Sequence, residues 1–187
     1  MKTAEATVIL KSLGWAISND EVGDKVANFR LADRDVQIIY GIRRSIDHQD
    51  FRSTLSTSTE AFSEACRAIT GDKNRYSPLV RARNGIRMQA PEILEQHVRQ
   101  AADEAISWSQ VQDLQEGLRE LSALPTTALG ARPIWHLAAL SVRGDLPKIS
   151  SYQAAFEAGD RLDFVPYITK DHIDRAMIFA QSRVSST

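Results

Sequence analysis

The residues of this chain that could carry out nucleophilic, acid–base or metal chemistry stand apart from one another in the sequence. His136 lies in IWHLAAL, and no His, Cys, Asp or Glu follows or precedes it by three or four residues to complete a metal pair. Cys66 is the single cysteine, and its spacing from Phe62 and Ile69 places it on an apolar helix face, which favours a buried and inert thiol. We therefore predict no catalytic residue, no metal ligand and no cofactor.

Local signatures of enzymes are also missing from the sequence. It contains no GxxxxGK[ST], GxGxxG, HExxH, GxSxG or CxxC motif, so phosphate loops, zinc helices, nucleophile elbows and redox dithiols lack their usual marks. This favours a binding protein, and an enzyme of unknown class stays open as a third alternative.

The charges are unevenly distributed along the chain. Six basic residues and one acidic residue lie between Arg67 and Met88, and seven acidic residues and two basic residues lie between Glu92 and Glu120. The two segments either compensate each other as solvated surface, or the basic segment forms a binding face. We take the second alternative as the hypothesis to be tested.

The sequence VRARNGIRMQ contains Asn84-Gly85, a favoured two-residue hairpin turn. A hairpin over 79–89 would pair Arg83 with Ile86 and Arg81 with Met88, so arginines and apolar residues would share one face. Such a mixed face suits an exposed recognition ribbon, because arginine is enriched at interface hot spots. The predicted protein-binding residues are Arg75, Arg81, Arg83, Ile86, Arg87 and Met88.

Nucleic acid is a weaker alternative as the partner of this segment. Tyr76 is its only aromatic residue, and no helix-turn-helix pattern places the arginines on a groove-reading helix. The formal net charge of -1 also argues against a chain that binds a polyanion with its whole surface.

The periodicity of apolar residues changes from helical to extended and back again along the chain. An amphipathic helix ends near Gly14, and VANFRLA, VQIIYGI and FRSTLSTS have the composition of strands. Thr57 and Glu60 have the spacing of a capping box before a second helix. We predict an α+β fold with an N-terminal helix, a three-stranded antiparallel sheet over about 26–57 that the 79–89 hairpin would extend, packing helices, and a helical C-terminal half.

The stretch LPTTALGARP is the best candidate for a linker, because it concentrates helix breakers between periodic segments. After it, Pro133 is suited to a first helical turn, Gly144 to a helix end, and Asp145 to the cap of the next helix. We predict an α+β domain over 1–124 and a helical C-terminal extension over 125–187, packed together as one compact unit.

The start of the chain, MKTAEATVILKSLGW, has no uninterrupted apolar segment of the kind found in signal peptides. The longest apolar runs fall far short of the roughly 20 residues that span a bilayer. We therefore expect a cytoplasmic protein without a membrane segment. Its oligomeric state does not follow from the sequence.

The order of helix, three strands, helix, hairpin and long helix resembles small bacterial immunity proteins that neutralise contact-dependent or type VI toxins. The resemblance covers about residues 4–106, with LKSLGW ending the first helix and VQIIYGI in the second strand. The chain also resembles class I secretion chaperones, although the helices after Pro125 depart from their compact plan. Both resemblances imply stoichiometric binding of a protein partner, either a toxin or a secreted effector.

Overall fold

The computed structural model describes residues 1–72 and 76–184. Within them the chain forms seven helices and six strands, so the predicted α+β class is confirmed. In chain order the elements are α1 (Thr3–Ser12), β1 (Ala16–Asn19), β2 (Lys25–Arg30), β3 (Asp35–Arg44), β4 (Gln49–Ser58), α2 (Glu60–Thr70), β5 (Val80–Arg81), β6 (Arg87–Ala90), α3 (Glu95–Gln110), α4 (Leu114–Ser122), α5 (Arg132–Arg143), α6 (Leu146–Glu157) and α7 (Lys170–Val184).

The strands form one antiparallel sheet in the order β1-β2-β3-β4, and both β5 and β6 pair with the remaining edge of β4. The three predicted strands correspond to β2, β3 and β4. The predicted number of three was too small, because β1 is a four-residue edge strand with three exposed positions and carries little apolar signal.

One face of the sheet packs against α1 and α3. Apolar side chains alternate along the central strands, so that every second residue enters this core. Its buried members include Leu10, Ala27, Val36, Ile38, Tyr40, Phe51, Leu55, Val98, Ala102 and Ala105. The alternating residues point to the opposite face of the sheet, which carries Val26 and Ile39 together with polar and charged side chains.

The remaining helices pack on one another, with α5 in contact with α2, α4, α6 and α7. Gly144 ends α5 in the left-handed conformation, and the Asp145 side chain accepts the Lys148 N–H at 3.2 Å to cap α6, as predicted. The predicted capping role of Thr57 is wrong. Thr59 caps α2, and the Thr57 hydroxyl donates to the Asp35 carbonyl at 2.9 Å instead.

The contacts divide the chain into two compact units. The first, which we call the sheet unit, comprises Met1–Thr57 and Val80–Gln112, and the second, the helical unit, comprises Ser58–Leu79 and Asp113–Thr187. Helices α2 and α4 thus group with the C-terminal helices, whereas our division at residue 125 placed them with the sheet. None of the helices in the described part of the chain is long and apolar enough to cross a membrane.

Candidate functional site

The predicted hairpin at 79–89 does not form, because its two strands pair with β4 rather than with each other. Val80 and Arg81 lie opposite Thr57 and Ser56, and Arg87 to Ala90 lie opposite Arg52 to Gln49. The five residues 82–86 thus run beside only three residues of β4. Asn84-Gly85 lies in a bulge on an interrupted edge strand, and the predicted pairing is wrong.

Gly85 shows why the chain follows β4 here. A Cβ atom at this position would come within 1.5 Å of the Ser53 carbonyl oxygen and 2.7 Å of its carbon. On either side of the bulge, Ala82 N–H donates to Leu55 O at 3.0 Å and Ser53 N–H donates to Ile86 O at 2.9 Å. Glycine at position 85 therefore permits a close backbone approach, and does not serve as a hairpin turn.

The predicted mixing of arginines with apolar residues on one face is also wrong. Ile86 and Met88 are half-buried against the core of the sheet unit, and Met88 lies opposite Phe51. Arg87 is exposed and lies opposite Arg52, on the other face of the sheet. Strand alternation separates the two residue types because neighbouring side chains point to opposite faces.

We call the face of the sheet that is turned away from α1 and α3 the outer face. Pairing and alternation place five arginines and two aspartates on it. Arg81, Arg87 and the bulge residue Arg83 are exposed. The members of the outer face that carry charge are Arg30, Asp35, Arg43, Asp50, Arg52, Arg81 and Arg87.

Asp50 organises the arginines at one end of the outer face. Its carboxylate accepts a hydrogen bond from Arg52 Nη2 at 2.7 Å, and Arg87 Nη2 lies 3.4 Å away. The bond from Arg52 holds the pKa of Asp50 below its ordinary value, and the charge of Arg87 adds to this. Asp50 therefore stays ionised and fixes both guanidinium groups.

Sequence reasoning missed five charged members of this surface, Arg30, Asp35, Arg43, Asp50 and Arg52. A signal was available in QDFRSTL, where Asp50 and Arg52 flank Phe51, because residues two apart on a strand share a face. Of the residues that we predicted, Arg81 and Arg87 belong to the outer face, and Arg83 is exposed in the adjoining bulge. Arg75 lies outside the described residues.

The side of the interrupted edge strand that faces the core, with Ile86 and Met88, forms one wall of a pocket of about 420 Å³ in the sheet unit. Helix α3 forms the opposite wall through Gln100, Glu104 and Trp108, which are spaced by four residues and so share one stripe of the helix. The remaining lining residues are Leu55, Asn84, Gly85, Ile86, Arg87 and Met88. Ile86 and Met88 thus line a concave site and are not part of the arginine surface.

His136 is 1% exposed and has both ring nitrogens in hydrogen bonds within the helical unit. Its Nδ1 donates to the Leu121 carbonyl at 3.0 Å, because a carbonyl can only accept. Nε2 then accepts from the Tyr152 hydroxyl at 2.9 Å. Burial lowers the pKa of His136, which favours this neutral tautomer and gives the residue a structural role.

Cys66 is buried, as predicted from its position on the α2 face. Burial raises the pKa of its thiol to about 12. At pH 8 the thiolate fraction is therefore roughly 10³-fold lower than for an ordinary cysteine.

We expect the native chain to react with a thiol-specific disulfide reagent at least about 100-fold more slowly than the chain in denaturant, because thiolate is the reacting species. The measurement is the absorbance of the released thiol, with one equivalent expected after unfolding. Labelling of the native chain at the rate of the denatured chain would show that Cys66 is accessible.

Among the described residues, no group of three or more His, Cys, Asp or Glu side chains is arranged to hold a metal ion.

Fold and surface together define an α+β protein whose antiparallel sheet packs helices on one face and displays arginines on the other. The chain belongs to a family of unknown function, DUF6990, which matches residues 2–181. No curated protein and no solved structure matches it.

Proposed function

We propose that this chain acts without catalysis, by stoichiometric binding of a protein partner through the exposed arginines of the outer face and of the adjoining bulge. The partner that we propose is a bacterial toxin, which the chain neutralises as an immunity protein. The observation that carries the proposal is the exposed arginine surface organised by Asp50, in a chain whose formal net charge is only -1.

The arrangement around Asp50 suits recognition of an acidic surface. The Asp50 side chain is 5% exposed, whereas those of Arg52 and Arg87 are 49% and 58% exposed. Both arginines approach Asp50 through Nη2, and a guanidinium group carries five N–H donors. Donors on Nε and Nη1 can therefore reach carboxylates of a partner while the buried carboxylate holds the group in place.

Preorganisation strengthens such an interface, since binding costs free energy for every long side chain that it immobilises. Arginines held by a buried carboxylate have already lost part of this freedom. Complementary charge also accelerates association. We therefore expect fast, salt-dependent binding of a partner with an acidic contact surface.

The test begins with the partner, which co-purification from the native host followed by mass spectrometry would identify. Affinity is then measured for the variant Arg81→Glu, Arg83→Glu, Arg87→Gln. Glutamine at position 87 removes the charge without placing a second carboxylate beside Asp50. We expect binding to weaken by about 50-fold or more, with a smaller salt dependence, because repulsion replaces attraction across the interface.

A matched control replaces the exposed residues Lys11 and Arg132 with glutamate and Lys148 with glutamine, which changes the net charge by the same amount. It should bind as the native chain does. If the outer-face variant is folded and binds with unchanged affinity and salt dependence, the arginines are only solvated surface. Expressing the identified partner without this chain distinguishes the two proposed roles. If the partner is toxic and co-expression of this chain relieves the toxicity, the chain is an immunity protein. If the partner is harmless and secreted, the chain is a secretion chaperone.

A further inference from the structure

The pocket of the sheet unit is open to solvent and is lined by both polar and apolar residues. Its volume of about 420 Å³ lies within the range of roughly 300–1,000 Å³ that is typical of such sites. Leu55, Ile86, Met88 and Trp108 supply apolar surface, and Glu104 and Gln100 supply polar groups from one wall. A ligand that fits must therefore combine an apolar stem with a polar end.

The charge that this pocket presents is negative. Glu104 Oε1 accepts a hydrogen bond from Gln100 Nε2 at 2.8 Å, and no cationic side chain in the described part of the chain pairs with the Glu104 carboxylate. Arg87 also lines the pocket, but its guanidinium group lies beside Asp50 on the outer face. The polar end of the ligand is therefore expected to be cationic.

Trp108 favours a guanidinium group over an ammonium group as the cation in this pocket. It lies one helical turn after Glu104 and is half-buried, with part of its side chain accessible. A planar guanidinium group can stack on an indole ring while it donates to a carboxylate, and arginine forms such contacts more often than lysine. The methylene groups of the arginine stem would contact Ile86 and Met88.

We propose that this pocket receives an arginine side chain of the protein partner, with the guanidinium group at Glu104 and Trp108. This inference rests on the proposed function, since the partner supplies the arginine. The segment 80–90 would then contact the partner on both of its sides. Its outer-face arginines would bind acidic groups, and its pocket side would bind one basic side chain. Strand alternation along one segment provides both surfaces.

The test uses N-acetyl-arginine amide as the probe and N-acetyl-citrulline amide as its neutral isostere. Binding is followed by the NMR signals of the Trp108 indole N–H, assigned with Trp108→Phe, and of the Gln100 side-chain amide. We expect the arginine probe to bind with a dissociation constant on the order of millimolar. The citrulline probe should bind at least about 5-fold more weakly, because its end group carries no charge.

The variant Glu104→Gln should remove this preference, and Asp103→Asn is the matched control because Asp103 is exposed on the same helix without lining the pocket. Unshifted Trp108 and Gln100 signals, equal binding of both probes, or an unchanged preference in Glu104→Gln would each overturn the inference. The probe needs no partner. A negative result with the arginine probe therefore does not affect the proposed outer-face interface. An unchanged affinity of the outer-face variant likewise does not affect the result of the probe experiment.

Discussion

Replacing His136 with alanine is expected to lower the free energy of unfolding by about 4 kcal/mol. The substitution opens a cavity in the helical unit and removes the hydrogen-bond partner of the part-buried Leu121 carbonyl and of the buried Tyr152 hydroxyl. Unfolding in urea, followed by circular dichroism, measures the loss as a shift of the transition midpoint.

His136→Asn is the matched variant, because its side-chain amide can still donate to the Leu121 carbonyl. We expect roughly half the loss of the alanine variant. A loss below about 1 kcal/mol in His136→Ala would contradict the structural role, since truncating a buried side chain and leaving the Tyr152 hydroxyl unsatisfied cost more than that.

The same residue gives stability a predictable dependence on pH. Burial lowers the pKa of His136 in the folded chain, so the unfolded chain binds a proton that the folded chain does not. The contribution of neutral His136 to the free energy of unfolding is therefore fully present above about pH 6.5, the ordinary pKa of histidine. It is lost as the pH falls toward the lower pKa of the folded chain. Burial lowers the pKa of His172 in the same direction, so the comparison of the native chain with His136→Asn isolates His136. The variant should lose less stability between pH 7 and pH 5.

Gly85→Ala is expected to destabilise the chain by about 3 kcal/mol, because the added Cβ would overlap the Ser53 carbonyl and force the bulge away from β4. The edge strand should loosen. Amide exchange should therefore accelerate at Ser53 and Ala82, whose N–H groups bond across this edge.

Gly41→Ala provides the control for the loss of a glycine within the sheet. Position 41 lies in β3, has no heavy atom within 4 Å of an added Cβ, and has no positive φ. This change should be neutral or stabilise by less than about 1 kcal/mol. Equal stability of the two variants would show that residues 82–86 do not lie against β4 as described.

Much of the fold was predictable because its signals are local. The runs that became β2, β3 and β4 alternate or consist of β-branched and aromatic residues, and the Asp145 cap lies beside the backbone group that it satisfies. The cap of α2 was predicted wrongly at Thr57, because Thr57 and Thr59 have the same chemistry and lie two residues apart. The Asp35 carbonyl and Ser109, which are distant in sequence, engage Thr57 and leave the cap to Thr59.

The sequence by itself determined the α+β class, the three central strands and the helical C-terminal half, although it missed β1. It also determined that Cys66 is buried and that basic residues concentrate between Arg67 and Met88. Only the tertiary structure decided which strand the segment 80–90 pairs with. A turn motif such as Asn84-Gly85 favours a hairpin by a small local free energy, whereas pairing with β4 supplies hydrogen bonds and buries Ile86 and Met88 against the core. The structure also brought Arg87 to Asp50, and Glu104 to the pocket beside Ile86 and Met88. Such contacts join residues far apart in the chain, and their energies depend on distances that sequence spacing does not contain.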